Sequence, residues 1–294
     1  MTHALWIILT GSLVAASCGL IGCYLILRKM AMLGDAISHA ILPGVVLAFL
    51  FSNHLETLYV LVGASLVGLL STFLIQLLHH RGIQSDAAIG VTFTSLFACG
   101  VVLVTRYADQ VHLDLQHVLY GEIAYTPWDL VTLFGITMPK AVWSMSAVFL
   151  ITLLIVGIFY KELKLTSFDP QMAAALGLPV AFIHYLLMSL VSLNTVAAFE
   201  SVGSILVVAM IVVPGATAYL LTDRLLTALI LSIVFGVASS VLGYAAAAAF
   251  DVSISGAMAT VGGLMFMLSF LFSPRHGVLA RKWAQRALSR SHAG

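Results

Sequence analysis

Long apolar runs separated by short polar turns dominate the chain. The runs are close to the 20 or so residues that a membrane-spanning helix needs. They cover residues 4–27, 31–52, 57–78, 87–105, 141–160, 180–197, 199–221, 225–249 and 253–272. The seventh run contains Gly203, Pro214 and Gly215, so we expect it to be bent or split and the helix count to lie between eight and ten. The pattern predicts an all-α, polytopic integral membrane protein in which residues 1–294 form one transmembrane domain.

Basic residues are divided unequally between the two sides of this predicted bundle. If the N-terminus lies outside, all of the 13 Lys and Arg residues except Arg106 and Lys140 fall on the inner side. Because cytoplasmic loops carry the excess of Lys and Arg, we expect the N-terminus outside and the C-terminus in the cytoplasm. The short basic tail 274–294 is then cytoplasmic.

Composition narrows the class of protein further. Hydrophobic residues make up 61% of the chain, charged residues 9%, and the net charge is only +1. This balance favours a lipid bilayer as the surroundings and gives no reason to expect nucleic-acid binding. The three cysteines lie in apolar runs without CxxC spacing, which argues against a disulfide framework or a cysteine metal site. The chain has no GxxxxGK[ST] phosphate loop and no HExxH motif, so the sequence predicts neither an ATPase nor a zinc metalloprotease.

Two ionisable residues stand in the motif GDAISHAILPG at 34–44. Asp35 and His39 are four residues apart and share one face of a helix. Ionisable groups within a membrane span usually mark a transport path, a relay or a ligand site. A carboxylate and an imidazole together suit Mn²⁺, Fe²⁺ and Zn²⁺. The alternative is a packing hydrogen bond in which Asp35 caps the helix.

Other polar residues are weaker candidates for completing such a site. Glu200 is a second carboxylate flanked by apolar sequence, and it is interpreted either as a ligand or as a charge in an outer vestibule. His184 and Asn194 in the sixth run would contribute ligands or serve packing. The segment HLDLQH at 112–117 would gather cations at the entrance or simply form a solvated loop.

A separate signal lies in the cytoplasmic segment FDPQMAAALGLP at 168–179. Asp169 is a typical N-cap and Pro170 suits the first helical position. Gly177 can end the short helix in the left-handed conformation, and Pro179 prevents its continuation. Such a helix suits docking to a partner, although an ordinary interfacial turn explains the same pattern.

These segments, together with VGSILVVAMIVVPGATAYLLTDR at 202–224, resemble the permease subunits of bacterial manganese, zinc and iron ABC importers, most closely the manganese branch. The resemblance implies a helical bundle similar to the vitamin B12 and siderophore importer permeases. It also implies that Asp35 and His39, with Glu200 as a further ligand, handle the transported metal. The segment around 166–179, with Asp169, Ala173 and Gly177, would be the coupling helix that contacts the ATPase.

The same resemblance implies the partners of the chain. A second permease subunit, identical or paralogous, would pair with it in the bacterial cytoplasmic membrane. Cytoplasmic subunits that bind ATP would supply the energy, and an extracytoplasmic metal-binding protein would deliver Mn²⁺, Zn²⁺ or Fe²⁺. No permanently bound cofactor is expected, and the chain would not itself be an enzyme. The main alternative is an ion-coupled secondary carrier in which Asp35 and His39 form a proton or metal relay; an intramembrane hydrolase would need a second carboxylate at the depth of Asp35.

Overall fold

A bundle of long helices makes up most of the part of the chain that the structure describes. The computed structural model describes residues 2–52, 57–107, 123–133 and 135–273. Within these residues, nine helical segments are long and apolar enough to cross a membrane, which confirms the predicted all-α, polytopic membrane fold.

The long helices are α1 (Thr2–Leu27), α2 (Leu33–Ala40), α3 (Leu42–Ser52), α4 (Thr57–His80), α5 (Ser85–Tyr107), α6 (Lys140–Ile158), α9 (Val180–Val202), α10 (Ser204–Leu221), α11 (Leu225–Phe250) and α12 (Ile254–Phe272), with α2 and α3 together forming the second span. The short helices α7 (Tyr160–Phe168) and α8 (Pro170–Ala175) lie between α6 and α9. A 3₁₀ helix (Ile123–Trp128) and an antiparallel hairpin, β1 (Leu130–Leu133) with β2 (Ile136–Pro139), precede α6. Following the charge-based prediction, the end of the bundle that carries α7 and α8 is called the inner end.

Glycines allow α1 to pack closely on α10. A Cβ atom at Gly22 would collide with the main-chain carbonyl oxygen of Ile211, and one at Gly215 would lie 3.0 Å from the main-chain nitrogen of Cys23. Small residues at helix contacts permit this approach in membrane proteins. The predicted seventh run, 199–221, is split at Gly203 and not at Pro214: α10 is one helix from Ser204 to Leu221 that includes Pro214, and Gly215 serves packing against α1.

A break that the sequence did not predict lies in the second span, where α2 ends at Ala40 and α3 begins at Leu42. Pro43 lies in the first turn of α3, a position where its missing N–H is not needed. A Cβ atom at Gly100 of α5 would lie 2.9 Å from Pro43 Cδ and from Leu42 Cγ. The break therefore follows directly after the helix that carries Asp35 and His39.

The boundary between the sixth and seventh spans also differs from the prediction. Helix α9 continues to Val202, and the turn to α10 is made by Gly203 alone, with φ of 82°. Glycine adopts such a positive φ without the steric penalty that a Cβ imposes. Glu200 consequently belongs to the sixth span rather than the seventh.

Candidate functional site

Asp35 and His39 lie side by side on α2. Asp35 Oδ1 and His39 Nε2 are 3.5 Å apart, and the two side chains are 38% and 35% exposed. Six other residues of this eight-residue helix are buried against the rest of the chain: Leu33, Gly34, Ala36, Ile37, Ser38 and Ala40. The amphipathic pattern of α2 thus turns its apolar side into the bundle and leaves the carboxylate and the imidazole on its open side.

Aromatic side chains of α5 hold the imidazole from one side. The His39 ring lies 6.2 Å from the ring of Phe93 and 6.4 Å from that of Phe97, measured between centroids. A small cavity of about 20 Å³ beside it is lined by Ser38, His39, Ile41, Leu42, Val45, Phe97 and Phe199. This space is enough for about one water molecule. The imidazole is therefore oriented by packing on one side and accessible on the other.

The spacing of the pair is compatible with a shared metal ion. Two donors that are each about 2.1 Å from one ion lie about 3.0 Å apart at a right angle and about 3.4 Å apart at a tetrahedral angle. The observed 3.5 Å is close to these values. Over the residues described, no group of three or more His, Cys, Asp or Glu side chains has the arrangement of a metal site. As a metal site the pair could supply two ligands, and the described residues offer no third His, Cys, Asp or Glu ligand beside it.

Glu200 lies apart from this pair. Its Oε1 atom forms an ion pair with Nζ of Lys140, the first residue of α6, at a distance of 3.1 Å. The depth difference follows from Gly68, whose Cβ position would contact both Ile37 of α2 and Ser192 of α9. Glu200 is eight positions beyond Ser192, about 12 Å along the helix axis from the level of Ile37, although its neighbour Phe199 lines the cavity beside His39. Its role as a ligand stays a prediction.

Asn194 and His184 have partners within the bundle. The fully buried Asn194 accepts a hydrogen bond from Ser17 Oγ, and its Nδ2 donates to Thr152 Oγ1 and to the carbonyl oxygen of Leu190, both at 2.8 Å. This network joins α1, α6 and α9, as expected of a packing residue. His184 Nδ1 lies 3.2 Å from Nη1 of Arg28. The segment 112–117 lies outside the described residues.

The predicted helix start in the segment 166–179 is confirmed. Asp169 Oδ1 accepts a hydrogen bond from the main-chain N–H of Met172 at 2.9 Å, with Pro170 in the first turn of α8. At the other end Gly177 has φ of 80°, and the N–H of Leu178 donates to the carbonyl oxygen of Ala173 at 3.1 Å. These contacts form a Schellman C-cap.

The two sides of α8 differ in exposure. Ala173 is fully buried and seats the helix on its own chain. Phe168, Met172 and Leu176, spaced four residues apart, are each more than half exposed. These three side chains, which we call the exposed apolar row, form a surface suited to contact with a partner.

Sequence reasoning missed the contacts of Arg28. The guanidinium, at the end of α1, donates to Ser167 Oγ at 3.0 Å and to Thr166 Oγ1 at 2.9 Å, in addition to its contact with His184. Its partners lie more than 130 positions away in the chain, so no local pattern indicated them. The only available signal was a basic residue next to the end of the first span.

A family model and the similar proteins of known name agree on one transport family. The model of the ABC 3 transport family matches residues 1–273. The chain is 54% identical to the manganese transport system membrane protein MntD of Bacillus subtilis (strain 168), with 100% of both chains covered. It is 42% identical to the zinc transport system membrane protein TroD of Treponema pallidum (strain Nichols), covering 96% of this chain and 77% of the relative.

Solved structures agree with these relatives. The structure of PsaBC from Streptococcus pneumoniae in complex with Fab matches with a TM-score of 0.78 and 37% identity, covering 95% of this chain and 94% of that chain. An inward-facing conformation of a putative metal-chelate type ABC transporter matches with a TM-score of 0.65 and 18% identity, covering 90% and 84% of the two chains. The second match shows a shared fold.

Proposed function

Because this chain belongs to the ABC 3 transport family, we propose that it is the membrane-spanning permease subunit of an ATP-driven importer of divalent transition-metal ions. Manganese is the first candidate cargo, because the relative that shares 54% identity is named for manganese transport. Zinc is the second candidate because TroD is named for zinc, and iron is a third on ligand chemistry alone. Family membership does not favour the ion-coupled secondary carrier.

The observation that carries the proposal is the Asp35–His39 pair on the open side of α2. An ionised Asp35 and a neutral His39 would replace part of the hydration shell of the passing ion. A site on a transport path has to accept the ion yet release it, and two protein ligands with water completing the shell suit that requirement. Metal binding requires deprotonated ligands, so uptake should fall in acidic medium.

The inner end of the bundle suits the proposed partnership with ATP-binding subunits. The exposed apolar row on and beside α8 offers them a contact surface, and the caps at Asp169 and Gly177 keep the helix in place. Nucleotide binding and hydrolysis on those subunits would provide the difference in free energy between inward-open and outward-open states that the permease cannot provide by itself.

The remaining partners follow from the same reasoning. We place the chain in the bacterial cytoplasmic membrane with its N-terminus outside, paired with a second permease subunit that is identical or paralogous. An extracytoplasmic metal-binding protein would release the ion at the outer end. The open side of the Asp35–His39 pair is the side that a second permease would complete.

Glu200 is proposed as a second position on the path, nearer the outer end. It can bind a cation only after its carboxylate leaves Lys140, so the ion pair would limit occupancy until the outer end of α9 moves. Glu200→Gln should then lower uptake less than changes at Asp35 or His39, because the ion would still meet the deeper pair. Uptake reduced equally by all three changes would instead place Glu200 in the same site.

Metal uptake in the native bacterium tests the function. Cells lacking the chain are compared with cells restored by wild type, Asp35→Asn or His39→Ala, with trace Mn²⁺, Zn²⁺ and Fe²⁺ supplied separately. If cells lacking the chain lose uptake of one metal and only the wild-type chain restores it, the result would support the proposal and identify the cargo. Asp86→Asn, at an exposed carboxylate in the first turn of α5, is the matched control and should restore uptake.

The amount of each variant in the membrane has to be measured alongside. Normal uptake by both site variants at normal abundance would contradict the site assignment. Unchanged uptake of all three metals in cells lacking the chain would contradict the function itself. If uptake collapses with an uncoupler while ATP is held constant, the result would favour the alternative hypothesis of an ion-coupled secondary carrier.

A further inference from the structure

The Arg28 guanidinium joins three parts of the chain at the inner end. Nε donates to Ser167 Oγ at 3.0 Å and Nη2 donates to Thr166 Oγ1 at 2.9 Å, both at the end of α7. Nη1 lies 3.2 Å from Nδ1 of His184, in the second turn of α9. One side chain thus contacts the segment leading into α8 and the helix that follows it.

The main chain that follows Arg28 is fixed by hydrogen bonds to the last turn of α1. The N–H of Lys29 donates to the carbonyl oxygen of Ile26 at 3.0 Å, and that of Met30 donates to Leu25 at 2.8 Å. Lys29 has φ of 57°, so the Schellman end of α1 places a non-glycine residue in the left-handed region, a conformation that the surrounding structure must maintain. Arg28 is therefore a fixed point rather than a loose surface cation.

From this fixed point the chain continues directly to the proposed metal pair. Only seven positions separate Arg28 from Asp35, and the N–H of Leu33, the first residue of α2, donates to the carbonyl oxygen of Met30 at 3.1 Å. In the other direction, Ser167 is two positions before the Asp169 cap of α8. Arg28 therefore bridges α8 and the turn that leads into α2.

The chemistry of the side chain suits this bridge. Its contacts go to two hydroxyl oxygens and a ring nitrogen, which a planar fork of several N–H donors can reach together. A lysine ammonium has one nitrogen and cannot occupy all three positions. Burial lowers the pKa of the Arg28 guanidinium to about 10, and the group still carries its charge at neutral pH.

We propose that Arg28 is a positioning residue that transmits displacement of α8 to α2, so that events at the proposed ATPase contact reach the Asp35–His39 pair. This inference rests on the proposed function, and it concerns coupling rather than docking or metal ligation. Loss of the bridge should leave the docking surface intact while separating ATP hydrolysis from transport.

The test uses the assembled importer, with its ATP-binding subunits, in proteoliposomes with Mn²⁺ as the probe. For Arg28→Gln we expect normal recovery of the ATP-binding subunits, and uptake per ATP hydrolysed lowered about tenfold, within the range of typical coupling effects. Arg28→Lys should give an intermediate ratio. Arg81→Gln, at an exposed arginine of the inner end, is the control and should match wild type. An unchanged ratio in Arg28→Gln, or loss of the ATP-binding subunits from the complex, would overturn the proposal.

A second measurement is independent of the cargo. Hydrogen–deuterium exchange of the detergent-solubilised chain should show faster exchange in Arg28→Gln both at 166–178 and at 29–36, and neither change in Arg81→Gln. Faster exchange confined to one of these segments would contradict the bridge even if metal uptake were affected. If the wild-type importer takes up none of the metals while this paired change is seen, the proposed function fails and the bridge between the segments stands.

Discussion

Gly44 and Gly63 lie at the contact between α3 and α4, where the helix backbones touch. A Cβ atom at Gly44 would lie 2.5 Å from the carbonyl oxygen of Gly63 and 2.9 Å from Cα of Ala64. The reverse contact is equally tight, with a Cβ atom at Gly63 lying 2.7 Å from the carbonyl oxygen of Gly44. We therefore predict that Gly44→Ala forces the two helices apart.

The size of the effect follows from these distances. Atoms of this kind prefer a separation of about 3.5 Å, so α3 and α4 would have to separate by about 1 Å. The obstructing atoms belong to the main chain and cannot rotate away. Overpacking of this kind destabilises by about 1–3 kcal/mol, and the better helix propensity of alanine returns about 1 kcal/mol. The net expectation is a loss of up to about 2 kcal/mol in the free energy of unfolding.

Thermal unfolding of the detergent-solubilised chain measures this change. For a chain of this size each kcal/mol corresponds to about 2–4 °C in Tm. The matched control is Gly90→Ala in α5, where a Cβ atom would meet nothing within 4 Å, so its Tm should stay equal or rise. Uptake by Gly44→Ala should also fall, because α3 follows directly from the helix of Asp35 and His39. Equal melting temperatures for the two variants would refute the reasoning.

Further predictions concern the inner helix and the buried network. Asp169→Ala should lower recovery of the ATP-binding subunits about fivefold, because it removes an N-cap that stabilises α8 by about 1 kcal/mol. Asp169→Asn should keep both the N-cap and the recovery. Equal recovery with both variants would contradict the capping role of Asp169. Gly177→Leu should strain the left-handed C-cap and lower the same pull-down, and an unchanged pull-down would refute the docking claim. Asn194→Leu should lower Tm, because Ser17 and Thr152 lose their shared hydrogen-bond partner and each unsatisfied buried group costs about 1–3 kcal/mol of stability. A Tm equal to that of wild type would show that Ser17 and Thr152 find other partners.

Membrane burial explains why the spans were predictable. The bilayer imposes a length and an apolar composition on each helix, and both can be counted along the chain. Eight of the nine predicted runs correspond to a single long helix, with ends that differ by a few residues. What the sequence could not indicate was the placement of breaks, because glycine and proline have more than one use in such helices.

The seventh span illustrates this ambiguity. Gly203, Pro214 and Gly215 together predict a bend or a split, but α10 continues through Pro214 and Gly215, and the absence of a side chain at Gly215 allows α1 to approach. Gly203, a residue of the same predicted run, does have the conformational role, as its φ of 82° shows. Distinguishing the two uses requires knowing which helix packs beside each glycine, and that information is tertiary.

The candidate site was predictable to the same extent. Four-residue spacing placed Asp35 and His39 together, and their 3.5 Å separation confirms that they are neighbours. The partners of Asn194 and of Arg28 are distant in sequence, so their structural contacts could not be foreseen. The ion pair between Glu200 and Lys140 at the outer end of the bundle could not be foreseen either.

The open side of α2 carries the two ionisable side chains of that helix, Asp35 and His39. Exposed Asp35 and His39 side chains within a predicted membrane span would be unfavourable in contact with lipid, although the remainder of α2 is buried in the chain. Such a surface is tolerated where it faces water or protein. If the proposed function is correct, this side of α2 would line the transport path and face the second permease subunit, which could then add ligands to the two that the described residues offer.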